Sequence, residues 1–322
     1  MDIAYLLWLQ GIRESLPPLF EQLFVAVSAI AASSALIVIP ALLFWCLDKR
    51  AGRYVLFTFA LGTLVNQFVK NTVCAYRPWV RSADVHPSAG ALGEATGYSF
   101  PSGHTTVSAT LLGAIGWWYR KSVPVLTALC WLFVLLVAFS RNFLGVHTPQ
   151  DVLVGLVVGI LSILVASRLL AWADAGEGRD KLVLVVSLVI AVAYLAYVYL
   201  KPYPMDYDAS GALMVDPVKM QVDCFKAAGV FVGAVLGWFL EQRYVNFEVN
   251  PAKFGWKRMA LRFVVGMAVL LLLLLLGTRL LHMLLTDDRW YELVKNFVLV
   301  FGAAFVAPLV FSAVERVRYK DV

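Results

Sequence analysis

The stretch 140–172 decides how the chain is read: SRNFLGVHTPQD (140–151) runs directly into VLVGLVVGILSILVASRLLAW (152–172). The second part is an apolar run of the length that crosses a bilayer as a helix, about 20 residues. The first part crowds polar and cationic side chains at the head of that run. Thr148-Pro149 reads as an N-cap followed by the first helical residue. Asp151 then falls at the third helical position and His147 stands just ahead of the helix.

Outward from this stretch the apolar runs recur. Spans are expected at about 22–47, 53–69, 103–119, 123–139, 152–172, 182–200, 226–241, 259–282 and 294–313. The composition agrees: 61% of residues are hydrophobic, 15% are charged, and the mean hydropathy is +0.78. A soluble chain carries about 25% charged residues. The fold class expected is therefore all-α, a polytopic membrane helical bundle of about nine transmembrane helices. Residues 1–20 lack the cationic start and apolar stretch of a cleavable signal peptide, and Ile3, Leu6, Leu7 and Leu9 suggest a short amphipathic helix.

The net charge is +6, but the cations form no single basic face, so no nucleic-acid partner is expected. They cluster between apolar runs: DKRAGR (48–53), RK (120–121), RDK (179–181), then Lys253, Lys257, Arg258 and Arg262, then Arg316, Arg318 and Lys320. Of the 27 Lys and Arg, 16 fall on that side and 11 on the other. By the positive-inside rule the richer side is cytoplasmic. The absence of an N-x-S/T sequon favours a bacterial membrane, and the expected location is the bacterial inner membrane.

Two more polar blocks meet apolar runs on the outer side. KNTVCAYRP (70–78) closes the second span and PSGH (101–104) opens the third. Charge asymmetry alone thus assigns all three blocks to the periplasmic face. Lys70, Arg77 and Arg141 supply three cations, and a guanidinium holds phosphate oxygens bidentately. Pro101 and Ser102 suit a helix start, whose free N–H groups and dipole favour an anion, and Gly103 lets that backbone approach closely. His104 lies beside this anion site and exchanges a proton near neutral pH. Asp151 is placed to orient one nitrogen of His147 and leave the other free to attack phosphorus.

Each residue also has a plainer reading. Asp151 alone is a helix-capping acid, Arg77 and Arg141 are interfacial cations that snorkel, and the histidines are polar loop residues. Eleven fixed residues in three ordered blocks, each expected at roughly 5% by composition, do not coincide by chance. The spacing K-x6-RP, then PSGH, then SR-x5-H-x3-D resembles the type-2 phosphatidic acid phosphatase (PAP2) superfamily over about residues 50–170.

That resemblance implies a lipid phosphate or lipid pyrophosphate phosphatase. Lys70, Arg77, Ser102, Gly103 and Arg141 would bind phosphate. His104 would protonate the leaving oxygen and then activate water, His147 would form a phosphoenzyme, and Asp151 would orient it. It implies neither metal nor cofactor, and the four cysteines have no metal-binding spacing. The expected organisation is a catalytic core at 1–175 with an amphipathic amino-terminal segment, and an extension of about four spans at 176–322. The expected partners are the lipid substrate and the surrounding membrane lipids, and association between copies of the chain is open. The layout is also similar to glucose-6-phosphatase, so a soluble sugar phosphate is the alternative substrate. A metal hydrolase is disfavoured because three neighbouring cations repel a divalent ion. A transporter or scaffold is disfavoured because the spans show no Gly/Pro-broken pair in matching halves.

Overall fold

The computed structural model describes residues 2–33 and 38–318. Among them the chain is helical, with one isolated antiparallel bridge between Tyr207 and Leu213. The helices are α1 (Asp2–Ser15), α2 (Pro18–Ala32), α3 (Val38–Leu47), α4 (Lys49–Val73), the short α5 (Pro78–Arg81) and α6 (Ala89–Leu92), and α7 (103–119). They continue with α8 (Pro124–Phe143), α9 (Pro149–Asp174), α10 (Arg179–Leu200), α11 (Pro217–Val245), α12 (Pro251–Leu284) and α13 (Asp288–Arg318). Proline opens α2, α5, α8, α9, α11 and α12, where its missing N–H costs nothing and its fixed φ suits a first turn.

Six helices, α8 to α13, are long and apolar enough to cross a membrane. The chain is therefore an integral membrane protein. Three of the expected spans are not in this set. The 22–47 run is divided between α2 and α3, both short, and 34–37 lie outside the described residues. The 53–69 run lies in α4, whose length suffices but which Thr58, Thr63, Asn66, Gln67, Lys70 and Asn71 make polar. The 103–119 run is helical but shorter than the six.

The chain forms two compact units, the first from 1–36, 61–165 and 201–220 and the second from 37–60, 166–200 and 221–322. In the first, α1 buries Leu6, Leu9 and Arg13. Leu9 packs with Ala91, Ala95, Phe143, Leu144 and Val146, and Phe24 of α2 joins them. Arg13 donates to the carbonyls of Phe143 (3.1 Å) and His86, tying the loop before α6 to the end of α8. The close approach of α7 and α9 rests on small residues. A Cβ on Gly155 would lie 2.9 Å from the Ser102 carbonyl oxygen, and one on Gly159 would lie 2.4 Å from the Ala109 Cβ.

In the second unit, Gly229, Gly233 and Gly237 of α11 face α13 in the same manner. Their Cβ positions would lie 2.2, 2.8 and 2.5 Å from Leu293 O, Phe297 O and Ala304 Cβ. Its core holds Phe44, Trp45, Phe247, Met259, Ala307 and Phe311. Inside it the buried Arg262 donates to both carboxylate oxygens of Glu315 at 2.6 and 3.0 Å.

Candidate active site

All eight residues singled out from the sequence lie within the first unit. Lys70 sits on the last turns of α4, buried, and its ammonium donates to the Tyr98 carbonyl at 2.9 Å. The helix ends where Cys74 takes φ +53°, with its N–H bonded back to Lys70 O at 3.0 Å. Three residues later Arg77 precedes Pro78, the first residue of α5, and turns its buried guanidinium inward.

Ser102 caps α7. Its Oγ accepts from Thr105 Oγ1 at 3.0 Å and from Thr105 N at 3.4 Å, and its own N–H donates to Asp151 O at 2.9 Å. Its N–H is thus engaged within the protein, while its hydroxyl oxygen accepts and keeps its own hydrogen to donate. Gly103 is different: a Cβ there would meet only Asn66 Oδ1, at 4.0 Å, so its face is open as a close-approach role requires. His104, in the first turn, places Nε2 at 3.0 Å from Glu94 Oε2.

The third block is built by two helix ends. α8 finishes just past Arg141, and Gly145 makes the reversal with φ +71°, where a side chain would also press on Pro87. Asn142 Nδ2 then donates to His147 O at 2.9 Å, fixing the backbone at the histidine. At the start of α9, Thr148 N donates to Asp151 Oδ2 (2.7 Å), and Asp151 N donates to Thr148 Oγ1 (3.3 Å). This reciprocal cap realises the plainer reading of Asp151. The same Oδ2 also lies 3.3 Å from His147 Nδ1 and accepts from Ser99 Oγ at 2.5 Å. Capping and orientation are therefore one arrangement.

His147 Nε2 lies 2.9 Å from Arg77 Nη1. A guanidinium nitrogen only donates, so Nε2 is the acceptor and Nδ1 carries the proton toward Asp151. Burial above all, with Arg77, Arg141 and Lys70 adding to it, holds the imidazole well below the usual histidine range. The ring is therefore neutral at neutral pH, with its lone pair on Nε2.

The two arginines, equivalent in the sequence reading, differ in the structure. Arg77 donates through Nε to Gly97 O (3.0 Å), through Nη2 to Thr96 O (2.8 Å), and through Nη1 to Val146 O (3.0 Å) as well as to His147. Its bidentate edge is thus occupied by neighbouring carbonyls, and only its Nη1 corner meets the histidine. Arg141 is wholly buried and donates through Nη1 to Ser28 Oγ, while its Nε and Nη2 have no hydrogen-bond partner among the described residues. Those two nitrogens form the edge that matches two oxygens of a phosphate. Leaving such donors buried and unsatisfied is costly, and an oxyanion is the group that fits them.

Three further residues take part that motif spacing did not reveal. Ser99 bridges Asp151 and the His147 Nδ1 side, lying 3.3 Å from that nitrogen. Glu94 meets His104, and Ser28 meets Arg141. Ser99 lies close enough to the PSGH block for proximity to have flagged it. Glu94 and Ser28 carry no local signal.

A site of buried cations around a neutral, acid-oriented histidine defines a class of anion-processing helical membrane proteins, and comparison with known families narrows it. Residues 51–174 match the profile of the PAP2 superfamily, and residues 225–318 match that of the PAP2 superfamily phosphatase, transmembrane extension. The chain therefore carries a PAP2 superfamily domain followed by the transmembrane extension found in PAP2 superfamily phosphatases.

It is 29% identical over 155 residues to the putative undecaprenyl-diphosphatase YbjG of Escherichia coli (strain K12), covering 48% of this chain and 76% of that protein. It is 28% identical over 155 residues to phosphatidylglycerophosphatase B of Bacillus subtilis (strain 168), covering 45% and 72%. It is also 28% identical over 117 residues to the undecaprenyl-diphosphatase of Sulfolobus acidocaldarius, covering 34% and 51%. No solved structure matches the chain.

Proposed function

We propose that the chain is an integral membrane phosphatase that hydrolyses a lipid phosphate monoester or lipid pyrophosphate through a phosphohistidine on His147. The observation that carries this reading is the pairing of a neutral His147, unprotonated at Nε2, with the bidentate edge of Arg141, which is unpartnered among the described residues. One holds the nucleophile and the other fits the phosphate. The relatives named above are phosphatases of lipid phosphates and diphosphates, which supports the same substrate class.

The reaction runs in two steps. Phosphate is held by Arg141 and Lys70 with the Gly103 backbone and the charge of Arg77 beside it, and His147 Nε2, giving up its hydrogen bond from Arg77 Nη1, attacks phosphorus as the bond to the leaving oxygen breaks. His104 gives that oxygen a proton. The neutral His104 then takes a proton from water, which attacks the phosphohistidine and releases inorganic phosphate. Asp151 steadies the positive charge that the His147 ring acquires. No step calls for a metal, since the cations already neutralise the phosphoryl oxygens and oppose a divalent ion.

The catalytic groups belong to a core at 1–175, with 176–322 as an extension. The charge asymmetry of the loops supports an active site on the periplasmic face of a bacterial inner membrane. There the phosphate of a lipid already lies at headgroup depth, so the acyl or polyprenyl chain need not leave the bilayer.

Purified protein in mixed micelles, given phosphatidate, phosphatidylglycerol phosphate, a polyprenyl diphosphate and glucose 6-phosphate, tests the reading by phosphate release. The kcat/KM for the best lipid should exceed that for glucose 6-phosphate by at least about 100-fold, roughly 2.7 kcal/mol of discrimination. A preference for the sugar phosphate, or loss of turnover in EDTA restored by a divalent metal, would overturn it.

A further inference from the structure

The matched PAP2 domain begins at residue 51, yet a residue well before it touches the phosphate-site arginine. Ser28 lies on α2 and is 1% exposed, and its Oγ accepts a hydrogen bond from Arg141 Nη1. Arg141 is 0% exposed. The planar guanidinium carries its five N–H groups in a fixed fork. Holding Nη1 therefore sets the orientation of the opposite Nε/Nη2 edge, which has no hydrogen-bond partner among the described residues.

The register of Ser28 against Arg141 is itself fixed. One turn earlier on α2, Phe24 packs at 4.5 Å from Phe143 and 5.5 Å from Phe139, ring centroid to centroid, and these two residues flank Arg141 on α8. Two turns earlier, Glu21 accepts from Ser88 Oγ. α2 is thus held at Glu21, Phe24 and Ser28, and the hydrogen bond it makes with Arg141 is to a hydroxyl.

We infer that Ser28 is a positioning residue that aims the bidentate edge of Arg141 at the transferred phosphoryl group. This rests on the proposed function, because it takes Arg141 to be the phosphate fork. It also gives α2, which lies outside the matched domain, a part in the chemistry. Without the hydroxyl, the guanidinium keeps its charge but loses its alignment, so the transition state loses more than general electrostatic attraction.

The test uses an isosteric pair, Ser28→Thr and Ser28→Val, which differ only in the hydroxyl, with Ser28→Ala as a smaller change. Phosphate release from the best lipid substrate, the inhibition constant of vanadate and Tm are measured on each purified full-length protein. Ser28→Val and Ser28→Ala should lower kcat/KM about tenfold or more and weaken vanadate inhibition in parallel, the cost of one hydrogen bond to a charged group. Ser28→Thr should restore both, at a Tm equal to that of Ser28→Val. Equal kcat/KM and vanadate inhibition in the Thr and Val proteins, with an active wild type, would overturn the inference and leave the phosphatase reading standing. A wild type that neither turns over lipid phosphates nor responds to vanadate would remove both.

Discussion

Replacing Asp151 by Asn separates its two uses, because the amide oxygen can still accept from Thr148 N and Ser99 Oγ while the negative charge is lost. His147 is neutral before attack, so the carboxylate contributes little charge–charge energy to substrate binding. As Nε2 bonds to phosphorus the ring becomes positive. With the carboxylate oxygen 3.3 Å from Nδ1, two unit charges at an effective dielectric of about 20 attract by about 5 kcal/mol. If half of that charge has developed at the transition state, the loss is about 2.5 kcal/mol, or about 70-fold in kcat. Asp151→Asn should therefore lower kcat by about 10- to 10³-fold while KM and Tm change little. Steady-state phosphate release and thermal unfolding of the purified variant give the comparison. A kcat within about threefold of wild type would refute the orienting role and leave Asp151 as a helix cap alone.

Ser99→Ala removes one bond to Asp151 and leaves the carboxylate free to move off His147, so kcat should fall about 10-fold with KM unchanged; a fall in Tm without a change in kcat counts against this. Because burial and the nearby cations depress the His147 pKa, its neutral form survives as the pH drops through the ordinary histidine value of 6.5. Corrected for substrate ionisation, the acid limb of kcat/KM should begin well below that pH, and a tenfold-per-unit decline starting at 6.5 contradicts it. In the second unit, Glu315→Gln strips the buried Arg262 of its counter-charge and should destabilise the fold by about 3–5 kcal/mol. Its signature is a lowered Tm at nearly unchanged kcat, measured below the unfolding transition.

Local rules made much of the site legible. Thr148-Pro149 begins a helix as capping chemistry predicts, the start read at Pro101-Ser102 falls with Ser102 as the cap and Pro101 just ahead of it, and Asp151 reaches both the Thr148 N–H and the His147 ring because it lies one turn along. What escaped depends on contacts distant in sequence. Ser28 and Arg141 are separated by 113 positions, and Arg13 and Phe143 by 130, so no window along the chain joins them. The distinction between Arg77 and Arg141 was likewise unreadable, since it depends on whether the carbonyls of Thr96 and Gly97 occupy the fork. The helical character of every expected span was visible in its apolar content among the described residues. Whether a helix is long and apolar enough to cross was less so, because α2 and α3 divide one run and buried polar residues punctuate α4.

The most direct test of the account is to trap the phosphoenzyme. Protein mixed with a ³²P-labelled lipid phosphate is quenched in denaturant at alkaline pH, where phosphohistidine persists and acyl phosphates do not, and the labelled peptide is sequenced by mass spectrometry. Label is expected on His147, absent in His147→Ala, and both slow to form and slow to decay in His104→Ala, which lacks the acid for the leaving oxygen and the base for water. Full turnover by His147→Ala, or label on another residue, would contradict it.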